Sequence, residues 1–266
     1  MNTHEHDPMN IVVPVKMVPD LVEELEVDAS GCALDRSFLK LRINEFDEHA
    51  LEEALLLKAK HGGTVTVLAL DTGEVDETLF TCLAKGADRA IKITGAFQEG
   101  VSSHAAAAVL ARVLGSVPHD LVLTGVQAAD DRDGQVGILL ATALDLPHVS
   151  VVSGVEPAPG GKAVTVRQEY SGGIMAELEV DLPAVLGIQA AREAPRYAPV
   201  SKVRQVMKTQ KLEEIPAPAV EAGVGSTVSR LAKPETGGRA EILEGSPEEV
   251  ADRLLAIFAE RGFVKR

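Results

Sequence analysis

The polar segment at residues 125–137 has the residue types that could bind a phosphate group. It reads Gly-Val-Gln-Ala-Ala-Asp-Asp-Arg-Asp-Gly-Gln-Val-Gly, follows a predicted strand and opens a predicted helix. Backbone N–H groups and the helix dipole at such a start favour a phosphate, and Gly134 and Gly137 would let the backbone approach it closely. The same residues fit an N-capped helix after a polar loop equally well, since the segment is neither a GxGxxG fingerprint nor a Walker A loop.

Two shorter segments carry further candidate residues. Residues 44–47, which read Asn-Glu-Phe-Asp, would cap a helix, with Phe46 packed as a hydrophobic staple. Residues 194–198, which read Ala-Pro-Arg-Tyr-Ala, would form a turn ahead of a basic linker.

No set of side chains in the sequence predicts catalysis. A nucleophile, a base and an orienting group cannot be assembled, because the histidines fall on predicted helices or at the ends of elements without partner spacing. Cys32 and Cys82 form neither a CxxC pair nor a metal-ligand spacing, and Cys82 fits a buried helix face. We therefore expect a chain that is not an enzyme by itself and that binds no metal.

Strands and helices alternate along the first part of the chain. Apolar runs predict strands at residues 10–16, 64–70, 90–94 and 120–125, and periodic apolar stripes predict helices at residues 44–60, 76–85, 102–114 and 135–144. This order implies right-handed parallel crossovers. The expected fold class is α/β, with a Rossmann-like doubly wound, mainly parallel sheet of the adenine-nucleotide-binding type. Such sheets bind ligands at the carboxyl edge, where residues 125–137 would lie.

After Pro147 the pattern changes to that of an antiparallel extension. Strands are expected at residues 148–155, 163–170 and 175–180, separated by Gly-Gly turns, and a further strand at residues 183–189 could lie centrally. A β-hairpin is expected within residues 22–43.

The end of the chain predicts an extended arm and a C-terminal helix. Residues 192–238 show little periodicity, so we expect them to lie on another molecule. Ser246 and Pro247 begin a capped amphipathic helix that runs to about residue 260. The expected division is a disordered N-terminal extension at residues 1–8, a nucleotide-binding α/β domain at 9–191, a recognition loop and arm at 192–238, and a tail and helix at 239–266.

Composition limits the partners and the compartment. The 266 residues carry a formal net charge of −14, which argues against a nucleic-acid binder. No apolar run reaches the roughly 20 residues that cross a bilayer. Residues 1–10 lack the basic and apolar segments of a signal peptide. We therefore expect a soluble chain that is cytoplasmic, or lies in an equivalent mitochondrial matrix compartment, without nucleic-acid binding or membrane insertion.

An ordered series of short motifs resembles the electron transfer flavoprotein β subunit family along almost the whole chain. The motifs are Val12-Val-Pro-Val-Lys16, Asn44-Glu-Phe-Asp-Glu48, Ala50-Leu-Glu-Glu-Ala54, Glu77-Thr-Leu79, Lys85-Gly-Ala-Asp-Arg-Ala90, Gln127-Ala-Ala-Asp-Asp131, Gln135-Val-Gly137, Leu182-Pro-Ala-Val185 and Ala194-Pro-Arg-Tyr-Ala198. Each motif is short, and it is their order along the chain that is specific.

The resemblance implies an electron carrier whose redox chemistry belongs to a flavin. It implies a heterodimer with a larger α subunit that carries FAD, which this chain would help to position, and an AMP with a structural role in this chain. Electrons would pass from flavin dehydrogenases, such as the acyl-CoA dehydrogenases of fatty acid β-oxidation, to a downstream acceptor. These dehydrogenases would dock at a recognition loop that includes Tyr197, with Val200 in the place of a leucine anchor.

The AMP contacts implied by the resemblance fall in the first strand, at the start of the first helix, at the end of the second strand and in the polar loop. They are Pro14, Asn44, Glu45, Phe46, Asp47, Leu70, Gln127, Ala128, Ala129, Asp130, Asp131, Arg132, Asp133, Gly134, Gln135, Val136, Gly137 and Ile138.

Departures from the family pattern leave a second nucleotide open. Pro14 stands where the family usually has Ala, Glu45 stands where Pro usually follows Asn, and Arg132 and Asp133 are atypical of the loop. Electron-bifurcating relatives bind a second FAD in place of AMP, and they share the Val-Gly found here at residues 136–137.

We expect AMP rather than FAD, because bifurcating relatives often have Gly where this chain has Asp131. The bifurcating β subunit stays as an alternative. An adenine-nucleotide α-hydrolase-like enzyme is an alternative of another class, although residues 16–20 do not form the SGGxDS-type phosphate loop expected of it.

Overall fold

Eleven strands and six helices alternate in the part of the chain that the structure describes. A computed structural model gives the fold for residues 8–37, 39–98, 100–131, 133–220, 228–234, 240 and 242–264. The chain divides into two compact units, Met1–Arg230 and Leu231–Arg266. The expected N-terminal extension up to residue 7, residues 221–227 and 235–238 of the expected arm, and Arg132 lie outside the described residues.

The strands of the first unit form one large sheet and one small sheet. The large sheet has nine strands in the order β11-β5-β4-β1-β6-β10-β7-β8-β9, and the small one pairs β2 with β3. The strands are β1 (Met9–Pro14), β2 (Met17–Pro19), β3 (Leu41–Ile43), β4 (Gly63–Leu70), β5 (Arg89–Thr94), β6 (Leu121–Gly125), β7 (His148–Pro157), β8 (Ala163–Tyr170), β9 (Ile174–Asp181), β10 (Ala184–Ile188) and β11 (Glu213–Pro216).

Helices cover both faces of the parallel part of the large sheet. They are α1 (Glu45–His61), α2 (Val75–Lys85), α3 (Ser103–Leu114) and α4 (Val136–Leu144). Side chains alternate between the faces of a strand, so Ile11 and Val13 join the core under α1 and α2, whereas Val12 joins the core under α3 and α4. Two buried layers on one parallel sheet confirm the expected Rossmann-like, doubly wound α/β fold.

The antiparallel extension is also confirmed. β7 pairs with β8 and β8 with β9 in antiparallel register, while β10 lies centrally, parallel to both β6 and β7. The hairpin expected within residues 22–43 begins earlier in the structure than the sequence predicted. Its first strand is β2, which pairs with β3, and between them a single bridge joins Val27 and Leu34.

The expectation of an irregular stretch from residue 192 is wrong for part of it. Residues Val200–Thr209 form α5, and β11 adds to the edge of the chain's own sheet beside β5. The sequence hid both elements, because α5 buries only Val203 completely and β11 is a four-residue edge strand. Besides the backbone pairing, two ion pairs join β11 to β5, between Arg89 and Glu213 and between Lys92 and Glu214.

The second unit contains the expected C-terminal helix, α6 (Pro247–Glu260). The Ser246 side chain accepts a hydrogen bond from the Glu249 N–H, and the Glu249 carboxylate accepts one from the Ser246 N–H. This reciprocal pair is a capping box. Among the described residues of this helix none is buried, and the apolar side chains of Leu254, Leu255 and Phe258 are exposed.

Among the residues that the structure describes, no helix is both long enough and apolar enough to cross a membrane.

Candidate functional site

A cavity of about 1100 Å³ opens where β1, β4 and β6 end. From β1 the chain first adds β4 and β5 on one side of the sheet, and it then returns to add β6 on the other side of β1. The switch point of the sheet therefore lies between β1 and β6. Open α/β sheets bind ligands at this kind of switch point, beyond the carboxyl ends of the strands.

The loop after β6 forms one wall of the cavity. Gly134 adopts a left-handed φ of 62°, and a Cβ at this position would lie 2.6 Å from the Val126 carbonyl oxygen. Asp131 closes the loop by accepting a hydrogen bond from the Ala128 N–H at 3.0 Å. The loop therefore needs glycine at position 134 for its own fold, and the missing side chain also leaves the backbone open to close approach by a ligand.

The start of α4 adjoins this wall, and Val136 of its first turn lines the cavity. Among the described residues, no side chain caps the first turn of the helix, where Gln135 occupies the N-cap position. The N–H groups of a first turn have no partner within the helix, and the helix dipole favours an anion there. An uncapped helix start of this kind is chemically suited to an anion such as phosphate.

Lys16 brings a positive charge to the same wall. It follows β1 directly and lines the cavity, and its Nζ lies 2.7 Å from Asp130 Oδ1 and 3.7 Å from Asp131 Oδ2. The ammonium group offsets the two loop carboxylates, which would otherwise repel a phosphate. The sequence prediction missed this residue, although its position at the end of a predicted buried strand was the signal that could have identified it.

Asp47, on the first turn of α1, joins the ends of two central strands. Its Oδ2 accepts the Lys16 N–H at 3.0 Å and its Oδ1 accepts the Gly125 N–H at 3.1 Å. Burial raises the pKa of this carboxyl group to about 7, against the opposing effects of the two N–H groups, the Asn44 side chain and the Lys16 charge.

Asn44 stands at the N-cap position of α1 but, among the described residues, makes no side-chain capping hydrogen bond. Its Nδ2 instead donates to the Gln127 carbonyl at 2.9 Å. The expected cap is therefore wrong in its bonding, because the amide side chain is used to hold the loop after β6 against α1.

The opposite wall of the cavity is largely apolar, and sequence reasoning missed most of it. Leu70, Phe97, Val101 and Leu110 contribute from the end of β4, from the loop after β5 and from α3. Several residues between β2 and β3, from Asp28 to Leu39, also line the cavity. Among them, Arg36 donates to the carbonyls of Gln98 and of Thr72, the latter at 3.1 Å. Nothing in the local sequence indicated that this excursion folds back over the sheet edge.

The structure brings ten of the expected contact residues to the cavity wall. They are Pro14, Asn44, Asp47, Leu70, Gln127, Ala128, Asp130, Asp131, Gly134 and Val136. Those that do not line it are Glu45, Phe46, Ala129, Asp133, Gln135, Gly137 and Ile138. A helix and a loop present only one side to a ligand. Gly137, for example, faces Thr124 and His148, where a Cβ would lie 2.9 Å from Thr124 Oγ1.

The expected docking residues lie away from the cavity, on the solvent side of α5. Tyr197 is 80% exposed and Val200 is 58% exposed, whereas Ala198 and Val203 are buried against Ala84 of α2. Residues 196–200 therefore combine the exposed Tyr197 and Val200 with the buried Ala198. They are called the docking segment below, after the role expected from the sequence.

The two cysteines are both free thiols, Cys32 exposed and Cys82 buried. Burial raises the pKa of the Cys82 thiol to about 12, so this thiol stays protonated at neutral pH. Within the described ranges, no group of three or more His, Cys, Asp or Glu side chains is arranged to hold a metal ion.

The sheet, its two helix layers and the cavity at its switch point define a Rossmann-like α/β protein with a cavity at the edge where such sheets bind ligands. The family model described as the electron transfer flavoprotein domain matches residues 32–220. The chain belongs to the electron transfer flavoprotein family, as the motifs of the sequence predicted.

Relatives named as β subunits are similar over nearly the full chain. The electron transfer flavoprotein subunit beta of Methylophilus methylotrophus is 34% identical over 261 residues, which cover 95% of this chain and 98% of the relative. That of Thermoanaerobacterium thermosaccharolyticum is 30% identical, with 93% and 96% covered. Protein FixA of Azotobacter vinelandii is 30% identical, with 93% and 94% covered.

The family sets the general role of the chain. β subunits of electron transfer flavoproteins are parts of an electron carrier and not enzymes themselves, in agreement with the expectation that this chain is not an enzyme by itself. The family also implies association with a flavin and a heterodimer with an α subunit. The adenine-nucleotide hydrolase alternative has no support from these relatives.

Proposed function

We propose that this chain holds one AMP in the cavity at the carboxyl edge of its sheet, as a structural nucleotide. In the heterodimer it helps to position the FAD of the α subunit. That FAD accepts electrons from flavin dehydrogenases, such as acyl-CoA dehydrogenases, and passes them to a downstream acceptor. The arm and α6 supply surface for the α subunit.

The cavity at the switch point is the observation that carries the nucleotide proposal. One wall combines an uncapped helix start, the left-handed turn at Gly134 and the Lys16 ammonium group, which suit a phosphate. The opposite wall is apolar, with Leu70, Phe97 and Leu110, which suits a purine ring.

Two features bear on the choice between AMP and a second FAD. The Asp131 carboxylate accepts the Ala128 N–H, so this donor is not available to the second phosphate of a pyrophosphate. This favours AMP. The volume of about 1100 Å³ lies slightly above the roughly 300–1,000 Å³ usual for small-molecule sites, so the cavity leaves room for a ligand larger than a mononucleotide. A bifurcating subunit that carries a second FAD is therefore the second candidate.

Nucleotide content decides between these candidates. The chain is co-expressed with its α subunit, the heterodimer is denatured, and the released nucleotides are separated and counted. We expect one FAD and one AMP per heterodimer. Two FAD and no AMP would make the bifurcating subunit the correct assignment, and FAD alone would remove the proposed nucleotide from this cavity.

The docking segment supports a second prediction, on dehydrogenase recruitment. Val200→Asp should lower kcat/KM for electron transfer from an acyl-CoA dehydrogenase about tenfold or more, because one apolar anchor can dominate a small interface. The bound FAD and AMP should stay unchanged. Stopped-flow reduction of the α-subunit flavin measures the effect.

Ser201→Asp is the matched control, since it adds the same charge at the neighbouring exposed position and removes no apolar side chain. It should change kcat/KM by no more than about twofold. Equal losses in both variants would mean that charge, and not an apolar anchor, explains the effect; no loss in either would refute docking at Val200.

A further inference from the structure

Three neighbouring side chains of α1 bind the backbone at residues 191–196, where the arm begins. His49 Nδ1 accepts the Ala191 N–H at 3.2 Å. Glu53 Oε2 accepts the Arg192 N–H at 3.1 Å. Glu52 Oε2 accepts the Arg196 N–H at 2.9 Å. Residues three and four apart lie on the same face of a helix, so these groups form one acceptor row. The same helix reaches the cavity at its first turn.

Glu52 makes the most complete of these contacts. The guanidinium group of Arg196 binds it in a fork, with Nε at 2.9 Å and 3.0 Å from the two carboxylate oxygens and Nη2 at 2.7 Å from Oε1. The Glu52 side chain is only 4% exposed, whereas that of Arg196 is 38% exposed. Burial alone would raise the pKa of Glu52, but the hydrogen bonds and charge of Arg196 outweigh it and hold that pKa below its usual value.

The pair lies at the start of the docking segment. Arg196 directly precedes Tyr197. Ala198, which follows Tyr197, is buried against α2 together with Val203. The chain is thus held by α1 at Arg196 and by α2 from Ala198 onward. Tyr197 and Val200 point away from both supports into solvent.

A general role in holding the fold together would not need this particular pair. Glu53, fully buried, already fastens the chain at Arg192, where its Oε1 lies 2.9 Å from Nε, and it also accepts the Val155 N–H at 3.0 Å. Within the described part of the chain, the hydrogen bonds of Glu52 all go to Arg196, through both its backbone and its side chain, and Arg196 is next to the exposed Tyr197. A bidentate pair fixes orientation as well as distance.

We propose that Glu52 is a positioning residue for electron transfer, which holds Arg196 and thereby presents Tyr197 and Val200 to the dehydrogenase. This inference rests on the proposed docking function of Val200. Preorganising a short segment lowers the ordering cost of a transient complex, so the loss of Glu52 should weaken docking without altering the flavin.

The test uses the heterodimer with Glu52→Gln, Arg196→Met and Arg196→Lys, and an acyl-CoA dehydrogenase reduced by octanoyl-CoA as the electron donor. Glu52→Gln and Arg196→Met should each raise the KM for the donor about tenfold, with kcat within about twofold, because the complex and not the flavin is affected. Arg196→Lys should restore part of the loss, since a single ammonium group replaces the fork. FAD and AMP content should match that of the wild-type heterodimer.

Hydrogen–deuterium exchange supplies a readout that does not depend on the donor. Amides of residues 196–203 should exchange at least about tenfold faster in Glu52→Gln and Arg196→Met, while those of residues 127–137 keep their protection. Arg89→Gln is the matched control, because it removes another long-range ion pair of the same part of the chain, at β11. It should leave both the KM and the exchange of residues 196–203 unchanged.

The double variant with Val200→Asp separates positioning from other causes. If Glu52 acts through Val200, then Glu52→Gln should add little to the KM once Val200 is replaced. The positioning role would be overturned if the effects of Glu52→Gln and Val200→Asp on the KM were additive. It would also be overturned if hydrogen exchange at residues 196–203 were unchanged in both Glu52→Gln and Arg196→Met. Failure of Val200→Asp alone to change the KM would refute the docking function instead, and exchange would then decide whether Glu52 orders the segment. If Glu52→Gln fails to fold, Arg196→Met carries the test.

Discussion

Gly125→Val is expected to abolish the proposed nucleotide binding in the cavity and to lower the free energy of unfolding by about 3–5 kcal/mol, from overpacking and a lost buried hydrogen bond. A Cβ at Gly125 would lie 2.5 Å from Asp47 Oδ1 and 2.9 Å from the backbone carbon of Phe46. Neither side can yield easily, because β6 is a central strand and Phe46 belongs to the first turn of α1. The helix would have to move away and take Asp47 and Asn44 with it.

Urea unfolding of the purified chain and nucleotide content of the heterodimer measure this prediction. Gly115→Ala is the control, since the nearest atom to its Cβ, the Arg112 carbonyl oxygen, lies at 3.4 Å and its backbone is helical. It should change stability by no more than about 0.5 kcal/mol. A Gly125→Val chain that keeps its AMP and its stability would show that α1 is not held at this point.

Asp47→Asn is expected to change how stability depends on pH. Burial raises the pKa of Asp47 from 3.8 to about 7, so the folded chain favours the protonated form. The stability that this preference contributes is fully present below pH 3.8 and is lost as pH rises through about 7. The loss amounts to about 4 kcal/mol once the carboxyl group is ionised in both states.

Asparagine cannot ionise, so the variant lacks this loss. At pH 5 it should be less stable than the wild-type chain by about 1–3 kcal/mol, because its amide group cannot accept both the Lys16 and the Gly125 N–H. From pH 5 to pH 8 the balance should shift in favour of the variant by about 3 kcal/mol.

Urea unfolding at several pH values checks this shift, which is a difference between two chains and so cancels the other titrating groups. Glu177→Gln, on the exposed face of β9, is the control and should follow the wild-type chain at every pH. A constant difference between the Asp47→Asn variant and the wild-type chain from pH 5 to pH 8 would contradict a raised pKa at Asp47.

Local patterns in the sequence determined the elements of the fold and part of the site. Apolar runs and helical stripes predicted the alternation of strands and helices through α4, and the Ser246-Pro247 start predicted α6 with its cap. The loop at residues 125–137 was located correctly at the end of a strand and the start of a helix. Such features depend on neighbours in the chain, so they can be read from a single sequence.

Tertiary structure decided the rest, because the contacts join residues that are far apart in sequence. Glu52 and Arg196 are 144 positions apart, and the Gly125 N–H reaches Asp47 across 78. β11 carries no alternating pattern and becomes a strand only because the edge of β5 offers unpaired backbone groups. Lys16 and Arg36 acquire their places at the cavity in the same way, since only the packing of strand ends and the returning excursion brings their charges to the site of the proposed nucleotide.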